Sequence, residues 1–229
     1  MPRPLTVYQL ATVGYDEAFA AQRLLVDRLA ASQADEGALM LLEHPPVLTI
    51  GRSGTSANIL VPAEKLAAAG VTVRETNRGG DVTYHGPGQI VGYPILPLAH
   101  HGKDVHAYLR RLEGVLIGTL ACFGIPAERR EGYTGVWTAQ GKIASIGVAI
   151  SRWVTWHGFA LNVAPNLDHF GLIHPCGLVG VRIASMQSIL RAAPSRAEVE
   201  DVLLKRFCAE FAFDHMTVLH SMRESGAVA

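Results

Sequence analysis

Strand-like and helix-like segments alternate along this chain, and that alternation is the strongest constraint on its fold. The continuous apolar run at residues 38–44 is typical of a buried strand, whereas residues 15–34, rich in Ala, Leu, Gln, Arg and Glu, predict a helix. No linker rich in Ser, Gly or Pro and no internal repeat divides the chain. We therefore expect a single domain over residues 1–229, of which about residues 1–220 are ordered. We expect an α/β (α+β type) fold in which helices flank a mixed β-sheet.

The remaining elements follow the same two patterns. Further strands are predicted at residues 5–10, 47–50 and 71–75, with a meander or hairpin between residues 135 and 163. Further helices are predicted to open at Pro62 and to cover residues 104–123 and 196–211. Gly124 suits the end of the 104–123 helix, and Ser195 suits the N-cap of the 196–211 helix. The chain from Ser221 onward is expected to fray.

Charge and cysteine usage narrow the classes of function. Lys plus Arg and Asp plus Glu number 20 each, so no excess positive charge is left to neutralise many phosphates, which argues against a general nucleic-acid binder. A local basic patch for one acidic partner is compatible with this balance. The three cysteines are odd in number and widely spaced, which indicates free thiols in a reducing, cytoplasmic setting. No stretch approaches the roughly 20 apolar residues of a membrane span, so we expect no membrane association.

The three cysteines differ in their local context. Cys122 and Cys208 each lie beside a phenylalanine in a predicted amphipathic helix, so we expect small, buried or half-buried core residues of low reactivity. Cys176 lies between Pro175 and Gly177, where the chain must turn and a loop can present the thiol. For an isolated Pro-Cys-Gly, a loop thiol without a task remains the alternative.

A nucleophilic thiol needs a nearby base or cation, and the sequence offers two kinds. Four histidines lie near Gly or Pro turns, namely His44, His85, His157 and His174, and a Cys-His pair would indicate a hydrolase. Lys142 opens an otherwise apolar strand, where its ammonium group either lies over a pocket or extends to water. The physics of the sequence alone favours extension to water.

Residues 78–89 (RGGDVTYHGPGQ) contain four glycines and a proline among polar groups. Glycine lets backbone N–H groups approach a ligand, so this segment could form the wall of a small acyl or carboxylate site. The alternative is a tight hairpin. The spacing matches neither phosphate-binding glycine motif, and no Cys or His spacing of a metal site is present, so no metal is expected.

Five segments of the chain, in order, resemble those of the lipoyl/octanoyl transferase family. The segments are residues 41–47 (LLEHPPV), 78–95 (RGGDVTYHGPGQIVGYPI), 141–147 (GKIASIG), 157–162 (HGFALN) and 175–177 (PCG). Ile90 stands where Leu is commoner in the family, and residues 178–180 fall in a variable region. The resemblance implies a fold like the catalytic domain of biotin and lipoate protein ligases.

The resemblance also implies a role for individual residues. Cys176 is implied to be the acyl-thioester nucleophile, and Lys142 the cation that activates it. Three segments are implied to contact the substrate: Arg78, Gly79, Gly80, Asp81, Val82, Thr83, Tyr84 and His85; Ser145, Ile146 and Gly147; and Gly158, Phe159 and Ala160. Backbone N–H groups near Cys176 and in residues 145–147 are candidates to stabilise an oxyanion.

The implied activity is transfer of an octanoyl or lipoyl group to a lysine of a lipoyl domain. The donor would be octanoyl acyl carrier protein, and the acceptors would be the lipoyl domains of 2-oxoacid dehydrogenases and glycine cleavage H-type proteins. Neither ATP nor a metal cofactor is expected, and neither is a nucleic-acid partner; we expect a monomer. The alternatives are an ATP-dependent lipoate or biotin ligase, which has no use for a nucleophilic cysteine, and a non-catalytic fatty-acyl-binding protein.

Overall fold

The computed structural model describes residues 3–32 and 34–225, and in this range eleven strands form two sheets. The strands are β1 (Pro4–Thr12), β2 (Gly37–Glu43), β3 (Val47–Ile50), β4 (Thr72–Glu75), β5 (Val82–His85), β6 (Gln89–Ile95), β7 (Glu128–Arg130), β8 (Tyr133–Thr138), β9 (Gly141–Ser151), β10 (Val154–Asn162) and β11 (His215–Leu219). The helices are α1 (Tyr15–Ala31), α2 (Ala63–Ala68), α3 (Val105–Cys122), α4 (Met186–Leu190) and α5 (Arg196–Phe211).

The large sheet has eight strands in the order β11-β1-β2-β6-β10-β9-β8-β7. Strand β1 runs parallel to both of its neighbours, and every other pairing in this sheet is antiparallel. The sheet is therefore mixed and helices flank it, so the predicted α/β fold is confirmed. The predicted meander is also present, because β8, β9 and β10 follow one another as antiparallel neighbours.

Apolar residues cover both faces of the large sheet. On one face, side chains of α3 and α5, such as Leu116 and Phe207, pack against the sheet in the larger cluster of buried residues. On the other face, α1 packs against the sheet through a second cluster that includes Leu25 and Met40. Both faces of β2 are therefore covered, which explains why its first six residues are all buried and do not alternate between apolar and polar.

The small sheet has three strands in the order β4-β3-β5 and its own apolar cluster. The glycine-rich segment connects the two sheets, because β5 pairs with β3 in the small sheet and β6 pairs with β2 and β10 in the large sheet. The hairpin alternative for this segment is wrong for that reason. Gly88 adopts a φ of +87° in the connecting turn, and a Cβ atom there would meet the Ala164 carbonyl oxygen at 2.3 Å.

Two predicted helices fit the structure closely, and one predicted helix was too long. Ser195 caps α5 with a reciprocal capping box, and Gly124 follows α3 with a φ of +71°. Helix α1 ends at Ala31 rather than residue 34. Ser32 is extended, and its hydroxyl accepts a hydrogen bond from the Ala34 N–H at 3.1 Å, which competes with continued helix.

Strand β11 was absent from the sequence prediction. Its residues are mostly exposed, so they lack the apolar run of a buried strand, and its pairing with β1 depends on a partner more than 200 residues away in the chain. Fraying was expected from Ser221 onward. The structure has a short 3-10 turn over Met222–Ser225, and residues 226–229 lie outside the described range.

Residues 3–32 and 34–225 contain neither a membrane-spanning helix nor a cluster of metal-binding side chains. No helix there is both long and apolar enough to cross a membrane. The same residues contain no group of three or more His, Cys, Asp or Glu side chains arranged to hold a metal ion.

Two adjacent leucines of α1 test how this helix is held on the sheet. Leu25 is fully buried, whereas Leu24 is 45% exposed. We expect Leu25→Ala to lower the free energy of unfolding by about 2–5 kcal/mol because it leaves a cavity. The matched Leu24→Ala variant should change it by less than about 0.5 kcal/mol. Urea unfolding of both variants measures the difference, and equal losses would contradict the packing of α1 described here.

Candidate active site

Cys176 lies at the centre of a 3-10 turn that spans Pro175–Gly177. Its φ and ψ of 58° and 25° are left-handed, which is unusual for a residue with a Cβ atom. Hydrogen bonds from Gly177 N to His174 O (2.9 Å) and from Leu178 N to Pro175 O (3.1 Å) hold the turn. The thiol is half-buried and faces a cavity, so the loop presents it as the sequence predicts.

The Lys142 ammonium group lies beside this thiol, with Nζ 3.1 Å from Cys176 Sγ. Lys142 is only 3% exposed, so the expectation that its side chain extends to water is wrong. The reason is tertiary. The segment that follows the cysteine crosses over the start of β9, where Lys142 N donates to Arg182 O and Lys142 O accepts from Ala184 N, each at 2.9 Å.

Gly135 provides the space that the Lys142 side chain occupies. Its φ is +128°, and a Cβ atom there would meet Lys142 Cε at 2.7 Å and the Ala144 carbonyl oxygen at 2.6 Å. Its N–H group donates to Glu113 Oε1 on α3 at 3.1 Å. A buried carboxylate of α3 therefore fixes the part of β8 against which Lys142 packs.

A cavity extends from Cys176 between the glycine-rich segment and strands β9 and β10. Most of the predicted substrate-contacting residues line it: Arg78, Gly79, Gly80, Asp81, Thr83, His85, Ser145, Ile146, Gly147, Gly158, Phe159 and Ala160. Val82 and Tyr84 do not line it. They alternate with Thr83 and His85 along β5 and pack in the core of the small sheet, because successive side chains of a strand point to opposite faces.

Arg78 brings a second buried positive charge to the cavity. Its guanidinium group donates to Thr49 O at 2.6 Å, to Thr49 Oγ1 from Nε and Nη2, and to Gly79 O at 3.1 Å. All of these acceptors are neutral, and no carboxylate of the described residues forms an ion pair with Arg78 or Lys142. Burial lowers the pKa of Arg78, although a guanidinium stays charged at neutral pH. The site therefore favours an anion.

Asp81 joins the glycine-rich segment to the cysteine turn. Its carboxylate accepts from Asn58 Nδ2 at 2.5 Å and from Val82 N at 2.7 Å, while Asn58 O accepts from His174 N at 2.8 Å. A Cβ atom at Gly177 would lie 2.6 Å from Asp81 Oδ2. Glycine at position 177 therefore permits the close approach of the two segments.

The buried histidines around the cavity are neutral. Desolvation lowers the pKa of His157 to about 3 and that of His44 to about 4, and it lowers the pKa of His85 well below its ordinary value. His44 Nδ1 lies 2.7 Å from Val13 O, and its Nε2 lies 2.7 Å from the Tyr93 hydroxyl. His157 Nε2 lies 2.8 Å from Asn77 Oδ1. None of these partners is Cys176, whereas Lys142 contacts the thiol directly, so the geometry favours Lys142 as the activating group.

Three residues that line the cavity were not predicted from the sequence to contact the substrate: Tyr15, Tyr93 and His157, the last of which was considered only as a base for the thiol. Tyr93 and His157 lie inside two of the family-like segments, so those segments held a signal for both. Tyr15 opens α1, and its hydroxyl donates to Thr76 Oγ1 at 3.1 Å. No pattern in the sequence connects the start of α1 with the glycine-rich segment.

The other two cysteines lie outside this cavity. Cys208 is half-buried against the larger core cluster, and burial raises the pKa of its thiol, which agrees with low reactivity. Cys122 is exposed, so its prediction as a core residue is wrong. It is the last residue of α3 and faces solvent, where Arg206 Nη2 lies 3.2 Å from its sulfur.

Comparison with known proteins gives the family. Residues 14–208 match the model of the lipoyl protein ligase A/B catalytic domain. The chain is 49% identical over 203 residues to the octanoyltransferase of Syntrophotalea carbinolica, covering 89% of this chain and 92% of that protein. It is also 45% identical to the octanoyltransferase of Geotalea uraniireducens, covering 97% and 100% of the two chains. The chain belongs to the lipoyl protein ligase A/B family and, within it, to the octanoyltransferases.

The predicted family is thus confirmed, and so is the expectation of an acyltransferase. The fold is shared more widely than the sequence. A bi-partite lipoate protein ligase from Thermoplasma acidophilum superposes with a TM-score of 0.70 at 16% identity, covering 96% of this chain and 90% of that chain. At that identity the likeness establishes the fold alone.

Gly135→Ala tests the position of Lys142. The added methyl group would collide with Lys142 Cε and displace the ammonium group from the sulfur. We expect alkylation of Cys176 by iodoacetamide at pH 7, followed by peptide mass spectrometry, to slow by about tenfold because the cation beside the attacking sulfur is displaced. The matched control is Gly132→Ala, where φ is also positive, at +77°, but nothing lies within 4 Å of the added atom. A folded Gly135→Ala protein that alkylates at the wild-type rate would contradict this arrangement.

The neutral histidines predict a pH dependence of stability. A histidine with an ordinary pKa of 6.5 protonates in the unfolded chain before it does so in the fold, where His44 has a pKa of about 4. Stability is therefore complete above pH 6.5 and falls as the pH drops toward 4, by about 1.4 kcal/mol per pH unit for each such histidine. Urea unfolding at pH 5–6 measures how the free energy of unfolding changes with pH, and His44→Gln should reduce this slope by about 1.4 kcal/mol per pH unit. Equal slopes in wild type and His44→Gln would contradict the expectation.

Proposed function

We propose that this protein is an octanoyltransferase that carries out the first step of endogenous protein lipoylation. It moves an octanoyl, or lipoyl, group from acyl carrier protein to a lysine of a lipoyl domain through a thioester on Cys176. The observation that carries the proposal is the 3.1 Å contact between Lys142 Nζ and Cys176 Sγ at the mouth of the cavity. The acceptors would be the lipoyl domains of 2-oxoacid dehydrogenases and glycine cleavage H-type proteins.

The first half-reaction is exchange of one thioester for another. The Cys176 thiolate attacks the carbonyl carbon of the octanoyl thioester, a new C–S bond forms, and the bond to the carrier sulfur breaks. The Lys142 ammonium group stabilises the attacking thiolate and then gives its proton to the departing carrier thiolate. An acyl-enzyme and a neutral lysine remain.

The second half-reaction makes an amide. The amine of the acceptor lysine attacks the acyl carbon, and the neutral Lys142 amine takes a proton from the attacking nitrogen. The C–S bond breaks as the amide forms, so Cys176 returns as a thiolate beside a lysine ammonium group. Both groups end as they began. No ATP or metal is needed, because the donor is already an activated thioester.

Positive charge is the main stabiliser that the site offers a tetrahedral oxyanion. The N–H groups of Gly177 and Leu178 already donate to carbonyl oxygens of the cysteine turn. Arg78 and Lys142 are both buried without a carboxylate partner, and a charge fixed in a site of low dielectric stabilises developing negative charge strongly. We therefore assign the oxyanion to these two cations rather than to the turn.

The cavity supplies a place for the acyl chain. Glycine at positions 147 and 158 lets neighbouring backbone pack closely against the wall of this cavity, because a Cβ atom at Gly147 would lie 2.8 Å from Gly79 O, and one at Gly158 would lie 2.1 Å from Gly92 O. Phe159, Ala160 and Ile146 add apolar surface to the lining.

We further propose that the enzyme works as a monomer in the cytoplasm, a reducing setting in which its free thiols would persist.

Intact-protein mass spectrometry after mixing with octanoyl acyl carrier protein tests the proposal. We expect one octanoyl adduct that hydroxylamine removes, that forms in Cys122→Ser and Cys208→Ser, and that Cys176→Ser either prevents or converts to a hydroxylamine-stable ester. Lys142→Met should slow its formation by roughly two orders of magnitude, as loss of a general acid–base group commonly does.

Four outcomes would contradict the proposal. Wild type could acquire no adduct, the adduct could lie on Cys122 or Cys208, or the protein could modify a lipoyl domain only from free octanoate and ATP. The last outcome would identify an ATP-dependent ligase. An unchanged activity of Cys176→Ala would instead identify a protein that only binds acyl chains.

A further inference from the structure

A second groove lies next to the cysteine turn, on the side formed by β7, β8 and residues 177–182. The part of its lining that matters here comprises Arg130, Tyr133, Trp137, Gly177, Val179 and Arg182. Gly177 directly follows Cys176 in the chain, so one end of the groove borders the turn that carries the nucleophile. The acyl cavity has no lining residue in common with this groove.

The groove is positively charged. Arg130 and Arg182 are both exposed, and neither forms an ion pair with a carboxylate of the described residues. No Asp or Glu is among the residues that line the groove. This local excess contrasts with the chain as a whole, in which positive and negative residues balance at 20 each.

Aromatic and apolar side chains accompany these arginines. The Arg130 guanidinium carbon lies 4.5 Å from the centre of the Trp137 ring, and Lys142 Nζ lies 5.5 Å from the same centre. Trp137 is 4% exposed, and its indole N–H has no hydrogen-bond partner among the described residues. Val179 is 78% exposed beside the groove. The groove thus combines exposed cations, a buried aromatic ring beneath them and an exposed apolar contact, the composition of a binding surface.

We propose that this groove is the docking site of the acyl carrier protein that delivers the octanoyl thioester. The proposal rests on the proposed function. A carrier protein holds its acyl group on an arm joined through a phosphodiester, so negative charge accompanies the thioester and meets Arg130 and Arg182. The acceptor brings a lysine amine, which is cationic before it reacts and which the same arginines repel. The charge of the groove therefore selects the donor over the acceptor.

Steady-state kinetics of the full-length protein with two donors test this assignment. One donor is octanoyl acyl carrier protein, and the other is octanoyl-N-acetylcysteamine, which has the same thioester but no phosphate and no protein. For Arg130→Glu we expect KM for the carrier donor to rise roughly tenfold, with a weaker dependence on salt and little change in kcat, because steering charges act mainly on association. The kinetics with octanoyl-N-acetylcysteamine should not change.

Two further variants sharpen the result. Arg130→Glu/Arg182→Glu should raise KM for the carrier donor further. Arg23→Glu makes the same change of charge at an exposed position of α1 outside the groove, and it should leave both donors unaffected. Transfer from preformed octanoyl-enzyme to a lipoyl domain should proceed at least as fast in Arg130→Glu as in wild type, because the substitution removes a charge that repels the acceptor lysine. Thermal unfolding of each variant verifies that it is folded.

Three results would overturn the docking assignment. An unchanged KM for the carrier donor would show that it docks elsewhere. An equal loss with both donors would place Arg130 in the chemistry rather than in docking. A slower second half-reaction alone would assign the groove to the lipoyl domain. Failure of the proposed function looks different, since wild type would then take an octanoyl group from neither donor.

Discussion

The main chain of Lys142 joins the two halves of the site. Its N–H and carbonyl groups hold the segment after the cysteine through Arg182 and Ala184, so the same residue is anchored in β9 and paired with the loop it serves. The 3.1 Å approach of its ammonium group to Cys176 follows from this double anchorage. A loop thiol and a strand lysine 34 positions apart are thereby held in one geometry before any substrate arrives.

Electrostatics and close packing then reinforce each other. Two buried cations, Lys142 and Arg78, have no carboxylate partner among the described residues, and an unpaired buried charge is costly unless an anion is nearby. The Cys176 sulfur lies 3.1 Å from Lys142, at the position where the proposed mechanism forms a thiolate. Gly135 and Gly177 allow this concentration of charge, since a side chain at Gly135 would displace Lys142 and one at Gly177 would collide with Asp81.

Local patterns predicted the elements whose formation depends on nearby residues. Helix α5 has its capping serine and its apolar stripe within one segment, and β8 to β10 are consecutive antiparallel strands. Predictions failed where distant contacts decide. The segment through β5 and β6 looks like a hairpin, but each strand pairs in a different sheet. Cys122 shares the helical spacing of core residues, yet the end of α3 leaves it in solvent.

The sequence by itself determined the mixed α/β class, the placement of Cys176 in a turn and, through its ordered motifs, the family. These follow from residue types and short spacings. Only the tertiary structure decided that Lys142 is buried against Cys176 and that Val82 and Tyr84 face away from the cavity. The physical reason is that burial and contact depend on which distant segments cover a residue, and the crossing of residues 182–184 over β9 leaves no mark in local periodicity.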